Sequence, residues 1–165
     1  MEIRIRASGQ VMYEDEFRTL HQGLGLPRPL TQENISDWGA DIILEGPQAS
    51  GGTVYQFSMR QGVQELGGKW HTKYVLGPIF TDRAAEGDQP AATAAEQEAA
   101  YKAMKDAEQA KNVRNSRTEL LKNSDWTQIA DSTADKATWA THRQALRDVT
   151  AQAGFPWTIT WPEQP

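Results

Sequence analysis

His21, His71 and His142 are the residues of this sequence best suited to moving protons or holding a metal near neutral pH. They lie in three different predicted elements and show no metal-ligand spacing. His71 falls in an alternating strand and is expected at the surface. His142 sits on an aromatic helical stripe, where a packing or hydrogen-bonding role, or a pH-sensitive contact, is expected. The acidic run Glu14-Asp15-Glu16 could hold a divalent cation, but negative charge is also favourable in the first turn of a short helix. Gly23-Leu24-Gly25 is no phosphate loop, because Pro27 and Pro29 stand where a helix N-terminus is required. Gly-x-Ser-x-Gly, His-Glu-x-x-His and Walker patterns are absent. Cysteine is absent too, which excludes disulfides, thiolate zinc sites and cysteine nucleophiles. Nothing here supports catalysis, and no catalytic or metal-binding residue is assigned.

The chemistry that remains is apolar binding. Four of the six tryptophans fall after Ser124. Trp157, Ile159 and Trp161 are spaced i, i+2, i+4 and would share one face of an extended strand, with Phe155 in phase and Thr158 and Thr160 turned away. Each indole offers roughly 150–250 Å² to bury, so this tail must dock on its own helix or on another protein. Pro156 and Pro162 remove backbone donors and suit edge pairing or groove docking. Upstream, Trp139, His142, Leu146 and Val149 recur at helical spacing, with Arg143, Gln144, Arg147 and Asp148 read as the opposite, polar side. Trp126 and Trp139 are expected to be buried in this C-terminal unit. The candidate partner-binding set is therefore Trp126, Trp139, His142, Leu146, Phe155, Trp157, Ile159 and Trp161.

The elements that position this set read as an α+β chain. At 165 residues the sequence can supply one ordinary core or two small ones joined by a helix, and the second arrangement is expected. Residues 1–83 read as a β-rich domain. It has a hairpin around Ser8-Gly9, a short helix over Glu14 to Leu20, and a second from Thr31 through Ile35 and Trp38. A strand follows over Asp41 to Glu45. A strand from Thr53 to Met59 would put Tyr55, Phe57 and Met59 on one face. Gln61-Gly62 and Gly67-Gly68 read as turns before a last strand over Lys69 to Leu76. Residues 84–123 read as a polar linker and a long Ala-rich helix opened by a Thr93/Glu96 capping box. Its seam at 100, 103, 107, 110, 114, 117 and 121 is mostly alanine, which leaves a solvated connecting helix or a self-associating one. Residues 124–165 form the C-terminal domain. Its helix is expected to begin near Ser132 or Thr133, and Gly154 to reverse the chain so that the tail lies along the tryptophan stripe.

The formal net charge is −5 and no segment is basic, so no electrostatic footprint for nucleic acid is present. No apolar run approaches the length needed to cross a bilayer, and no basic-then-apolar leader follows Met1, so a soluble protein without a membrane partner is expected.

Asn123-Ser124-Asp125-Trp126-Thr127-Gln128, the run Trp139 to Asp148, Gly154-Phe155-Pro156 and Trp161-Pro162 closely resemble the C-terminal domain of tailed-phage tail assembly chaperones and tail fibre assembly proteins. The sequence departs from that family at His142, where tyrosine is usual, and around Asp131 to Asp135, where the loop is shortened. Gly9-Gln10-Val11, Leu30-Thr31 and Gly68-Lys69-Trp70 through Tyr74 more loosely resemble the small β-rich domain that often precedes this module. The resemblance implies a non-enzymatic viral protein that needs no cofactor and assists assembly of tail fibres or other tail parts in the host cytoplasm. It leaves a structural virion component, such as a fibre or baseplate adaptor, as the alternative.

Overall fold

The computed structural model describes residues 1–165, which divide into two compact units, Met1–Ile79 and Phe80–Pro165. The chain is mixed α+β, with the strands in the first unit and the long helix in the second.

In the first unit, β1 (Glu2–Ile5) and β2 (Val11–Tyr13) form the expected hairpin, with Ile3 opposite Met12. β1 also pairs antiparallel with β3 (Ala40–Leu44), which in turn pairs parallel with β5 (Lys69–Gly77). β4 (Phe57–Leu66) closes the series on the far edge, giving the order β2-β1-β3-β5-β4. Alternation sends Ile3, Ile5, Met12 and Ile42 toward one face. There α1 (Glu14–Leu20) contributes Phe17 and α2 (Gln32–Ser36) contributes Ile35, completing a core with Leu30, Ala40 and Trp38. Thr31 caps α2, its hydroxyl accepting from Asn34 N, and Gly39 at φ +67 takes the left-handed position past its end.

Two readings of the β4 region are corrected. The strand starts at Phe57 rather than Thr53, because Thr53 to Gln56 close a turn through Gln56 N donating to Thr53 O at 3.0 Å. Tyr55 is therefore outside the strand that Phe57 and Met59 occupy. Gln61-Gly62 is a β-bulge inside one continuous strand: the register with β5 shifts between Arg60 and Val63, and Gly62 sits at φ +79. The only turn between β4 and β5 is Gly67-Gly68, both at positive φ.

Polar groups fix where β3 meets the helical layer. Asp41, 9% exposed, accepts from Arg6 Nη2 at 2.7 Å and Nε at 3.1 Å, and from Gln32 Nε2 at 3.1 Å. Gln32 Oε1 accepts from Ile42 N at 2.7 Å, and Arg6 Nη2 also reaches Ser36 Oγ at 2.8 Å. The Arg6 hydrogen bonds hold the Asp41 carboxyl below its usual range. A depressed folded-state value means this stabilisation is complete above the ordinary carboxylate pKa of about 4 and is lost as pH falls through the lower folded value. Asp41→Asn should lower stability at pH 7 by about 2 kcal/mol. It should also flatten the acid limb, so urea midpoints of variant and parent converge as the pH falls through the lowered folded-state value if Asp41 is the group responsible.

Candidate functional site

The second unit opens with Phe80, whose ring packs on Tyr101 at 5.5 Å, and a tight hairpin in which Arg83 pairs with Ala92 and Glu86 with Gln89. α3 spans Ala94–Asn123, and its start has the expected capping box: Thr93 Oγ1 accepts from Glu96 N while Glu96 Oε2 accepts from Thr93 N at 2.8 Å. Ala100, Ala103 and Ala107 face solvent, whereas Ala110 and Val113 are buried. Of the seam read in the sequence, Ala110 is buried and Arg117 and Leu121 are half-buried, so only its second half is covered.

Beyond α3 come a 3-10 turn, Asp125–Gln128, and α4, Lys136–Asp148. α4 starts later than Ser132, because Asp135 is its N-cap. The Asp135 carboxylate accepts from Ala137 N at 3.1 Å and Thr138 Oγ1 at 2.7 Å, and the Thr138 hydroxyl bond is the main reason its pKa is lowered. Trp139, Leu146 and Val149 of the stripe are buried, Leu146 and Val149 completely. Leu146 is therefore a core residue and presents no surface of its own.

Arg143, assigned from sequence to the polar side, turns inward instead. Its side chain is only 11% exposed. Nη1 donates to the Leu121 carbonyl at 2.7 Å and to Ser124 Oγ at 2.6 Å, and Nη2 donates to Asp125 Oδ1 at 2.7 Å. The guanidinium thereby caps the C-terminal end of α3, where carbonyls lack helical partners and the dipole favours a cation. The available signal was its place four residues after Trp139, on the flank of the apolar stripe.

The tail is not a strand. After Gly154 the chain closes a turn, with Thr158 N donating to Gly154 O at 2.7 Å, and Phe155–Pro156 is cis. Gln152 then clasps the loop, its side-chain amide exchanging hydrogen bonds of 2.8 Å with both N and O of Thr160. Nor does the tail lie on α4 alone. Trp157 Nε1 donates to Asp106 Oδ1 on α3 at 2.6 Å, and the Arg114 guanidinium stands 5.3 Å from the Phe155 ring. Only the last residues, Pro162 to Pro165, run beside Thr138, Thr141, His142 and Ala145 of α4, bounding a groove of about 550 Å³. The alternation survives without a ladder: Trp157, Ile159 and Trp161 are half-buried while Thr158 and Thr160 are exposed.

Trp126 is 52% exposed, not buried as expected. Its 3-10 turn carries the ring out of the core while its edge still meets Trp139 at 5.9 Å, and Trp139 meets His142 at 5.5 Å. Ile129 beside it is 54% exposed. One His142 nitrogen, Nδ1, is buried without a hydrogen-bond partner. The unit therefore leaves the apolar side chains of Trp126 and Ile129 exposed at its surface.

Residues 110–165 match the family model described as phage tail assembly chaperone protein, the same C-terminal region that carries the sequence resemblance. The match covers about a third of the chain and supports a general role in phage tail assembly. No curated protein and no solved structure matches the chain. No helix is long and apolar enough to cross a membrane.

Two variants test this construction. Arg143→Ala should destabilise the second unit by about 3 kcal/mol, since it leaves Leu121 O and Ser124 without their cation, and Arg143→Lys should restore only part. Tryptophan fluorescence through a urea titration reads both. Gly154→Ala would place a methyl group on the Thr158 carbonyl, so it should open the tail turn and speed amide exchange of residues 155–160.

Proposed function

We propose that this protein holds a tail fibre or another tail protein during assembly through the apolar surface centred on Trp126. Trp126 and Ile129 are the contact residues that engage first, with His142 next to Trp139 behind them. The half-buried Phe155, Trp157, Ile159 and Trp161, held on α3 by Asp106 and Arg114, form a second patch of the same unit. Trp139 and Leu146 support the surface from beneath. The observation that carries this reading is the exposure of Trp126: an indole more than half in water, yet held edge-on against a buried tryptophan. Rigid, exposed aromatic side chains make strong anchors because little side-chain entropy is lost when a partner covers them. Such a partner would itself carry apolar surface or an unpaired strand edge that aggregates if left uncovered.

Co-expression of the fibre gene from the same phage, with and without this protein, tests the reading; an unchanged yield of soluble, assembled fibre would count against it. Trp126→Ala should reduce capture of that fibre about thirtyfold or more while leaving the melting transition nearly unmoved. Trp157→Ala should lower stability as well as capture, because its indole also anchors the tail to Asp106. A Trp126→Ala protein that still captures fibre at parental affinity would place the interface elsewhere.

A further inference from the structure

β4 is the outermost strand of the first unit's sheet, and its recorded pairing is with β5 alone. It is ten residues long, reading Phe-Ser-Met-Arg-Gln-Gly-Val-Gln-Glu-Leu from Phe57 to Leu66. A free strand of this length presents a row of unpaired backbone donors and acceptors, a template for another strand. The two large apolar residues at its ends are both exposed, Phe57 at 56% and Leu66 at 40%. Its charged residues, Arg60 and Glu65, lie one on each side of the bulge.

The bulge decides which partner strand fits. Before it, Phe57 faces Gly77, Ser58 faces Leu76 and Arg60 faces Tyr74; after it, Val63 faces Thr72, Glu65 faces Trp70 and Leu66 faces Lys69. Side chains and backbone groups on β5 alternate with period two along the strand. Ser58, Arg60, Val63 and Glu65, all opposite even-numbered residues of β5, therefore belong to one class. Phe57, Met59, Gln64 and Leu66, opposite odd-numbered ones, belong to the other. Suppose a second β4 runs antiparallel across a two-fold axis between Gln61 and Gly62. Phe57 then meets the other copy's Leu66, Ser58 its Glu65, Met59 its Gln64 and Arg60 its Val63. Every one of these pairs joins residues of the same class, so side-chain faces and hydrogen-bond directions agree along both arms. The ends become apolar pairs, while the Arg60 guanidinium stays on Glu2 of its own chain, donating to its two carboxylate oxygens at 2.7 and 2.6 Å. A strand without the compensating phase shift would match one arm and miss the other.

We infer that β4 is a homodimer edge, at which two copies of this chain join their sheets into one continuous ten-stranded sheet. This stands apart from the fibre-binding reading, since it involves the other unit. The absence of cysteine makes the test clean. Phe57→Cys and Leu66→Cys chains are prepared separately in full length, mixed, and oxidised mildly. Mixing should yield a disulfide-linked heterodimer, because Cβ atoms of directly opposed residues are about 4.5–5.5 Å apart. Neither chain alone should link, because like positions then lie about nine residues, or roughly 30 Å, apart along the strands. Sedimentation of the parent should show a concentration-dependent dimer, and Phe57→Lys with Leu66→Lys should raise its Kd by about tenfold or more with an unchanged circular dichroism melt. A parent that stays monomeric at every concentration overturns the inference, as does a dimer that ignores the lysines or cross-linking no greater in the mixture than in either chain alone. A β4 that captures only strands of another tail protein would appear as the first of these results.

Discussion

The guanidinium of Arg143 sits at the point where α3 ends and α4 crosses it. Without it, the Leu121 carbonyl near the end of this thirty-residue helix would keep only its bonds from Ser124, the amide at 3.2 Å and the hydroxyl at 2.8 Å, and the Ser124 hydroxyl would lose its own donor. Burying carbonyls unpaired costs more than any single apolar contact nearby returns. Arginine suits the task because its planar, weakly hydrated cation can serve three acceptors at fixed angles. Ser124, 3% exposed, completes the arrangement: its hydroxyl lies 3.0 Å from Leu120 O and 2.8 Å from Leu121 O, and its own carbonyl accepts from Thr127 Oγ1 at 2.7 Å. The same few atoms therefore end α3, shape the 3-10 turn and set the place of α4.

The position of Trp126 follows from this junction. Asp125, tied to Arg143, and Thr127, fully buried, bracket it on a turn of four residues. Thr127 is buried, while Asp125 stays exposed but tied to Arg143, and the Trp126 side chain lies outward with one edge on Trp139. Exposure here is enforced by the fold and is not a sign of loose packing. The tail obeys a similar constraint from the other side. The Trp157 hydrogen bond to Asp106 and the Gln152 clasp hold it across α3 and α4, so its rings meet the helices by one face and solvent by the other. A surface prepared in this way loses little entropy when a partner covers it.

Local signals made much of the fold legible. The Thr93/Glu96 box, the Thr31 cap, the β1–β2 hairpin and the Gly67-Gly68 turn are decided by residues within a few positions of each other, and each was readable. The failures share a cause. Gln61-Gly62 carries the chemistry of a turn, but pairing with β5 on both sides turns it into a bulge. The tail alternates like a strand, yet after Gly154 it closes a turn and is held on α3 through Trp157 and Asp106. Arg143 was assigned from the helical wheel of α4 alone, which carries no information about the end of α3, and Trp126 was expected inside because a large apolar ring usually is. In each case a contact from far along the sequence outweighed a correct local preference. Of the binding set, Trp139 and Leu146 were legible as a stripe, but whether each ring faces the core or the solvent depended on those distant contacts.

α3 itself shows the same division along its length. Its first half rests on alanine propensity, the capping box and exposed ion pairs such as Glu98 with Lys102 at 2.7 Å, each worth only a few tenths of a kcal/mol. Phe80 on Tyr101 and Gln97 Nε2 donating to Thr81 O at 2.7 Å brace it from one side. The second half, from Ala110 onward, is fixed by α4, the tail and the Arg143 cap. Ala110 is buried there, so a larger side chain would have to displace whatever packs on it. Nucleating an isolated helix is costly, so the order of support runs from the C-terminal junction backward. Local opening should start near Ala94 and stop at the residues that carry the binding surface. That gradient keeps the Trp126 platform intact while the opposite end of the same helix remains free to adjust.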